Sequence, residues 1–257
     1  MKKALMIALM LLVSLPASAA VVSRPVEYKH GDTVLKGYLA HDDAKAGKRP
    51  GVLVVHEWWG LNDYVRSRVN KLAQLGYVAF ALDMYGKDVW TTDPNKAKEL
   101  MSHLMGSPLL RERANAGLEI LRKNQLVDPK RVAAIGYCFG GTTVLELAYA
   151  GANVAGVASF HGGLTAPQPE DEGRIKAKIL VLHGADDGFI SADKITAFQE
   201  GMRKAGADWQ MVYFGGTVHS FTNPGADKVG IKGIAYNKKA DERSWSYMQV
   251  FFKEIFK

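Results

Sequence analysis

The chain has one cysteine in 257 residues, and the residues around it restrict the backbone that can hold it. Arg131-Val-Ala-Ala-Ile-Gly-Tyr-Cys-Phe-Gly-Gly-Thr-Thr143 is an apolar, strand-like run that stops at Cys138 and restarts with helical character. Gly136 and Gly140 flank the thiol at two residues on either side. Without side chains at those places a strand can turn directly into a helix. The turn lifts the intervening side chain above the sheet edge, and the free N–H groups of the new helix point at whatever sits there. The pattern Gly136-Tyr137-Cys138-Phe139-Gly140 therefore predicts a presented nucleophile on a βα unit.

The rest of the chain supplies the matching sheet. Val21–His30 and Thr33–Ala40 alternate polar and apolar residues around Gly31-Asp32, which predicts an antiparallel hairpin. Short apolar runs at Gly51–His56, Tyr77–Asp83, Val154–Phe160, Lys178–Leu182 and Gln210–Phe214 predict strands buried on both faces. Helical periodicity appears at Leu61–Leu75, Gly140–Tyr149, Ser191–Lys204 and Asp241–Phe256, with two further helices opened by Asp93-Pro94 and Ser107-Pro108. Strands alternating with helices define an α/β class: a mostly parallel sheet with helices on both faces, led by the antiparallel hairpin.

Residues 1–19 read as a signal peptide. Met1-Lys2-Lys3 is basic, Ala4–Leu15 is apolar but too short for a span, and Ala17-Ser18-Ala19 is a cleavage motif. The expected mature protein is one domain, 20–257, exported to the periplasm or beyond, with no stable membrane insertion. Loss of Lys2 and Lys3 lowers the formal charge from +7 to +5. The remaining basic residues are scattered among acidic neighbours, a distribution that argues against a nucleic-acid partner. A lone cysteine forms no internal disulfide, so in an oxidising compartment it is either buried or used.

Open parallel sheets place their chemistry at the carboxyl ends of strands. Glu57, Cys138, Asp187 and His219 each follow a predicted strand. Chain order then restricts the base: in a nucleophile–acid–His arrangement, only His219 lies beyond Asp187. A free thiol is only a few per cent thiolate at neutral pH, and a neighbouring imidazole and helix N-terminus raise that fraction. A carboxylate on the far ring nitrogen fixes the tautomer. The Phe139 N–H, next after the nucleophile, and the Trp58 N–H are the expected oxyanion donors. Trp59, Tyr85, Lys87, Tyr137 and Phe221 are assigned to the substrate pocket, with Trp58 and Trp90 as further aromatic candidates. His161 and His183 read as structural groups at strand ends. His56-Glu57-Trp58-Trp59-Gly60 lacks a second histidine at zinc-helix spacing, so no metal and no cofactor is expected.

These motifs together resemble the dienelactone hydrolase family of α/β-hydrolases. The resemblance runs from about Val26 to the C-terminus. It rests on His-Glu-Trp-Trp-Gly at 56–60, Asp-Met-Tyr-Gly-Lys at 83–87, Gly-Tyr-Cys-Phe-Gly-Gly at 136–141, Gly-Ala-Asp-Asp-Gly-Phe-Ile at 184–190 and Val-His-Ser-Phe at 218–221. It implies a Cys138–His219–Asp187 triad, with Glu57 as a polar partner that holds or deprotonates the sulfur. It also implies hydrolysis of an ester, enol-lactone or thioester through an acyl-cysteine, with a small molecule as substrate. The family's substrate-gripping arginines are replaced here by Lys87 and Asn223. Two rival readings share the fold: a broader carboxylesterase or acyl transferase, and a non-catalytic binding or redox-sensing protein.

Overall fold

The computed structural model describes residues 20–257; the signal-peptide assignment, 1–19, lies outside the described residues. The eight strands are β1 (Val21–His30), β2 (Thr33–Asp42), β3 (Arg49–Val55), β4 (Val78–Ala81), β5 (Val127–Tyr137), β6 (Gly156–Phe160), β7 (Lys178–Gly184) and β8 (Trp209–Phe214). They form one sheet in the order β1-β2-β4-β3-β5-β6-β7-β8. The β1–β2 hairpin is antiparallel and joins β4 antiparallel through β2; every later pairing is parallel. This is the expected α/β architecture.

Strand alternation sorts the core into two layers. Val52 and Val54 of β3 face one side, where they meet Val65, Val69 and Leu72 of α1 (Asp63–Gln74) and Met248, Phe251 and Phe252 of α6 (Lys238–Ile255). Leu53 and Val55 face the other side. There they meet Leu118 and Leu121 of α3 (Pro108–Arg122), Val144 and Leu147 of α4 (Phe139–Tyr149), and Phe198 and Met202 of α5 (Ala192–Lys204). Both faces of the central strands are thus apolar, which is why those segments read as continuous apolar runs. The crossover between β4 and β5 carries α2 (Pro94–Ser102) and α3.

Differences from the sequence reading are confined to boundaries. β5 begins at Val127 rather than Arg131, because its register against β3 jumps from Arg49↔Val127 to Gly51↔Val132 and Asp128–Arg131 bulges out between. The cap residues explain the helix starts. Asn62, Asp93, Ser107, Ser191 and Asn237 each accept a first-turn N–H of α1, α2, α3, α5 and α6. Helix α4 begins at Cys138 with no side-chain cap.

The β5–α4 turn is possible only because of its glycines. A Cβ on Gly136 would overlap the Gly140 carbonyl, and one on Gly140 would overlap the backbone of Val55 at the end of β3. Neither obstacle is a side-chain tip that could swing away. Gly136→Ala is therefore expected to destabilise the fold by about 3 kcal/mol or more, measurable as a lowered urea midpoint with an unchanged m-value.

Candidate active site

Cys138 sits at the apex of this turn with φ 54° and ψ −115°, a conformation that L-residues rarely adopt. Two other non-glycine residues with positive φ lie beside it, His161 (40°) and Ser220 (57°). Such strain collects where neighbouring structure over-determines the backbone. The Cys138 N–H is shared between the Phe160 carbonyl (3.0 Å) and Nδ1 of His161 (3.1 Å). Because Nδ1 accepts, Nε2 carries the proton and donates to Thr222 Oγ1 at 2.7 Å. Burial, together with the neighbouring His219 and Arg68 charges, holds this ring well below the usual histidine range, so it is a neutral strut.

The structure brings Cys138, Asp187 and His219 together. His219 Nδ1 lies 2.7 Å from Asp187 Oδ2, and the second carboxylate oxygen accepts the Phe189 N–H at 3.1 Å. Burial alone would strip the proton from His219. The Cys138 sulfur and the Asp187 carboxylate outweigh it and push the ring's pKa up to about 10. Asp186, the other carboxylate of the pair, is exposed. The Phe139 N–H, first of an uncapped helix, has no intrahelical acceptor, and Phe139 lines the same space. The loop bearing Trp58 is pinned by the Tyr85 hydroxyl, which donates to the Trp58 carbonyl at 2.9 Å.

Glu57 is fully buried, and burial raises its carboxyl above the usual range against opposing hydrogen bonds from Asn223 and Ser220. Its carboxylate accepts from Asn223 Nδ2 at 2.7 Å and from Ser220 Oγ at 3.2 Å. The expected thiol partner therefore spends its recorded hydrogen bonds, among the described residues, on the His219 loop rather than on the sulfur. His56 orients it: Nε2 accepts the Met84 N–H, which leaves Nδ1 to donate to the Glu57 carbonyl at 2.6 Å.

The cavity over the thiol corrects the pocket assignment. It encloses about 270 Å³ and is walled by Trp58, Met101, Met105, Phe189, Ile231 and Ile234, beside Cys138 and His219. Trp59, Tyr85, Lys87, Tyr137, Phe221 and Trp90 are absent from this wall. Tyr137, immediately before Cys138, points into the sheet core and stacks on Phe160, and Phe221 packs on His161 and Phe214. The Tyr85 hydroxyl holds the Trp58 carbonyl and lies close enough to Cys138 to feel its charge, while the Trp59 ring packs 4.7 Å from that of Trp58. Lys87 lies on the hairpin side, paired with Glu27 at 2.7 Å, and Trp90 is exposed. Met101, Met105, Ile231 and Ile234 have no motif of their own; Phe189 and Ile190 lie in the quoted 184–190 segment.

Beneath the site, Arg68 of α1 donates to the Thr222 carbonyl and pairs with Asp241 of α6 at 2.7 Å, with both side chains buried. No group of three or more His, Cys, Asp or Glu among the described residues is disposed to hold a metal ion. No helix among them is long and apolar enough to cross a membrane.

Sheet order, uncapped elbow and the carboxylate–imidazole pair define an α/β-hydrolase. Comparison with known proteins narrows this. The model of the dienelactone hydrolase family matches residues 35–256, and the chain belongs to that family, whose members hydrolyse ester or lactone bonds. Protein usf of Aquifex pyrophilus is 28% identical, covering 89% of this chain and 97% of its own. A protein of Aquifex aeolicus provisionally named carboxymethylenebutenolidase is 29% identical over 90% and 98%. Among solved structures, a dienelactone hydrolase-like promiscuous phosphotriesterase from metagenomic libraries superposes with a TM-score of 0.90. It is 41% identical and covers 93% of this chain and 100% of its own.

The Arg68–Asp241 pair ties α1, α6 and the His219 loop together. Arg68→Ala strands a buried carboxylate and is expected to cost about 3–5 kcal/mol. Arg68→Met combined with Asp241→Leu is expected to recover most of that loss in equilibrium unfolding.

Proposed function

We propose that this protein hydrolyses carboxylic esters, lactones or thioesters through an acyl-cysteine formed on Cys138. The observation that carries the reading is the 2.7 Å hydrogen bond that a buried His219 donates to Asp187, with the imidazole sharing the cavity with the thiol. The Cys138 thiolate attacks the carbonyl carbon, and the C=O electrons move onto oxygen, which the Phe139 and Trp58 N–H groups receive. Collapse breaks the bond to the leaving group, which takes the proton from the His219 imidazolium. The neutral imidazole then removes a proton from water as the water attacks the acyl-cysteine. Release of the acid restores thiolate and imidazolium. Asp187 keeps the ring in the tautomer that each step needs.

A thiolate is a better leaving group than a plain alkoxide, so activated, strained or enol-type leaving groups suit this chemistry. The likeness to a promiscuous phosphotriesterase at 41% identity makes phosphotriesters a second substrate panel, since the same thiolate can attack phosphorus. The Met1–Ala19 pattern supports export, and cell fractionation with N-terminal sequencing of the mature protein tests it.

Incubation with p-nitrophenyl acetate is expected to give a burst and an acyl adduct on Cys138 by mass spectrometry. Cys138→Ala and His219→Ala are each expected to lower kcat by on the order of 10⁴-fold. A wild-type protein inactive on esters, lactones and thioesters, with reversible oxidation of Cys138, would instead favour the redox-sensing rival.

The raised His219 pKa carries a sign. The ring keeps its proton through neutral pH and loses it as pH passes about 10. For an ester with a poor leaving group, kcat/KM is expected to fall above that pH. In Asp187→Asn the carboxylate is gone, the ring binds its proton less well, and the fall is expected to move to lower pH.

A further inference from the structure

The structure points to an uncharged ester or lactone with an apolar acyl part as the substrate of this site, and we propose that a carboxylate-bearing substrate is selected against. This proposal rests on the ester-cleaving reading of Cys138 and goes further by naming what lies in the cavity. Its wall is built from one tryptophan, two methionines, two phenylalanines and three isoleucines, and among the described residues no lysine or arginine contributes to it. The polar groups in the wall are Cys138, His219 and Thr142, and the Thr142 hydroxyl donates to the Gly163 carbonyl at 3.1 Å.

The cations that could have received a carboxylate are committed elsewhere. Lys87 is bound to Glu27 at 2.7 Å, away from the cavity. Asn223, at the second gripping position, has no charge and gives its amide to Glu57. Arg68 is buried against Asp241. A substrate carboxylate entering here would leave water for a wall whose one cation, the His219 imidazolium, already faces the Asp187 carboxylate and the Cys138 sulfur, which is unfavourable in an apolar enclosure. It would also approach the Cys138 sulfur, which lines the same cavity. A methyl group in the same place gains contact with the methionines and isoleucines instead. Lys232 is the cation nearest in sequence to this wall, between Ile231 and Ile234, but it is exposed and outside the wall.

The test compares p-nitrophenyl hexanoate with mono-p-nitrophenyl adipate, which differ by a terminal methyl against a carboxylate, on the purified protein at fixed ionic strength. Hexanoate is expected to exceed adipate by at least about 100-fold in kcat/KM, and neutral esters to gain about three- to fourfold per added CH₂ from acetate to hexanoate. Met105→Arg, at a partly exposed position on the rim, is expected to raise adipate relative to hexanoate at least about tenfold. Lys232→Ala is expected to leave the wild-type ratio unchanged. Adipate equal to or better than hexanoate, or a ratio that depends on Lys232, overturns the apolar assignment while ester hydrolysis stands. Failure to cleave either ester, with no acyl adduct on Cys138, overturns both.

Discussion

The structure depends on one close approach: the backbone of Gly136 against Gly140, with Gly140 in turn against the end of β3. That contact folds the strand back into a helix within a single residue and forces Cys138 into its unusual conformation. Each such non-glycine residue costs about 1–3 kcal/mol, and Cys138, His161 and Ser220 all have positive φ here. The surrounding bonds offset this cost. His161 receives the Cys138 N–H and donates to Thr222; Arg68 holds the Thr222 carbonyl and is itself held by Asp241. The strained Cys138 therefore rests on a polar column that reaches α1 and α6.

Three buried histidines show how the same fold sets opposite charge states. Burial pushes His56, His161 and His219 alike toward the neutral form. His56 and His161 each accept a backbone N–H on one nitrogen and donate from the other, an arrangement that a neutral ring satisfies and a charged ring cannot. His219 alone among the three has a carboxylate on one side and a thiol on the other, and its shift reverses. The charge state follows from partners rather than from depth.

The sheet, its order of chemistry-bearing strand ends and the meeting of Cys138, Asp187 and His219 were legible because they depend on local patterns. Glycines at fixed offsets, apolar runs and chain order all survive without knowledge of tertiary contacts. The cavity wall was not legible. Tyr137 directly precedes Cys138 and Phe221 lies two residues after His219, yet strand alternation and loop curvature send both into the core. Met101 and Ile234 are far from any motif and reach the thiol only because the crossover and the 225–237 loop fold over the sheet edge. The buried Arg68 was equally hidden, since on a helix it reads as one more solvated charge.

The two sides of the cavity wall differ in how they are coupled to the chemistry. The Ile231–Ile234 side is bonded to His219 itself: the His219 N–H donates to the Gly233 carbonyl at 3.1 Å, and the Ala235 N–H to the His219 carbonyl at 3.2 Å. A change of shape there displaces the imidazole, and a shift of about 1 Å is enough to lose a hundredfold in rate. The Met101–Met105 side is bonded within the crossover, where Leu104 and Met105 donate to the Met101 carbonyl and the Ser107 N–H to the Leu104 carbonyl. Methionine is unbranched and polarisable, so this wall can reshape around different acyl groups. Substrate choice in such a site can drift through the crossover while the thiol, imidazole and carboxylate stay where the sheet holds them.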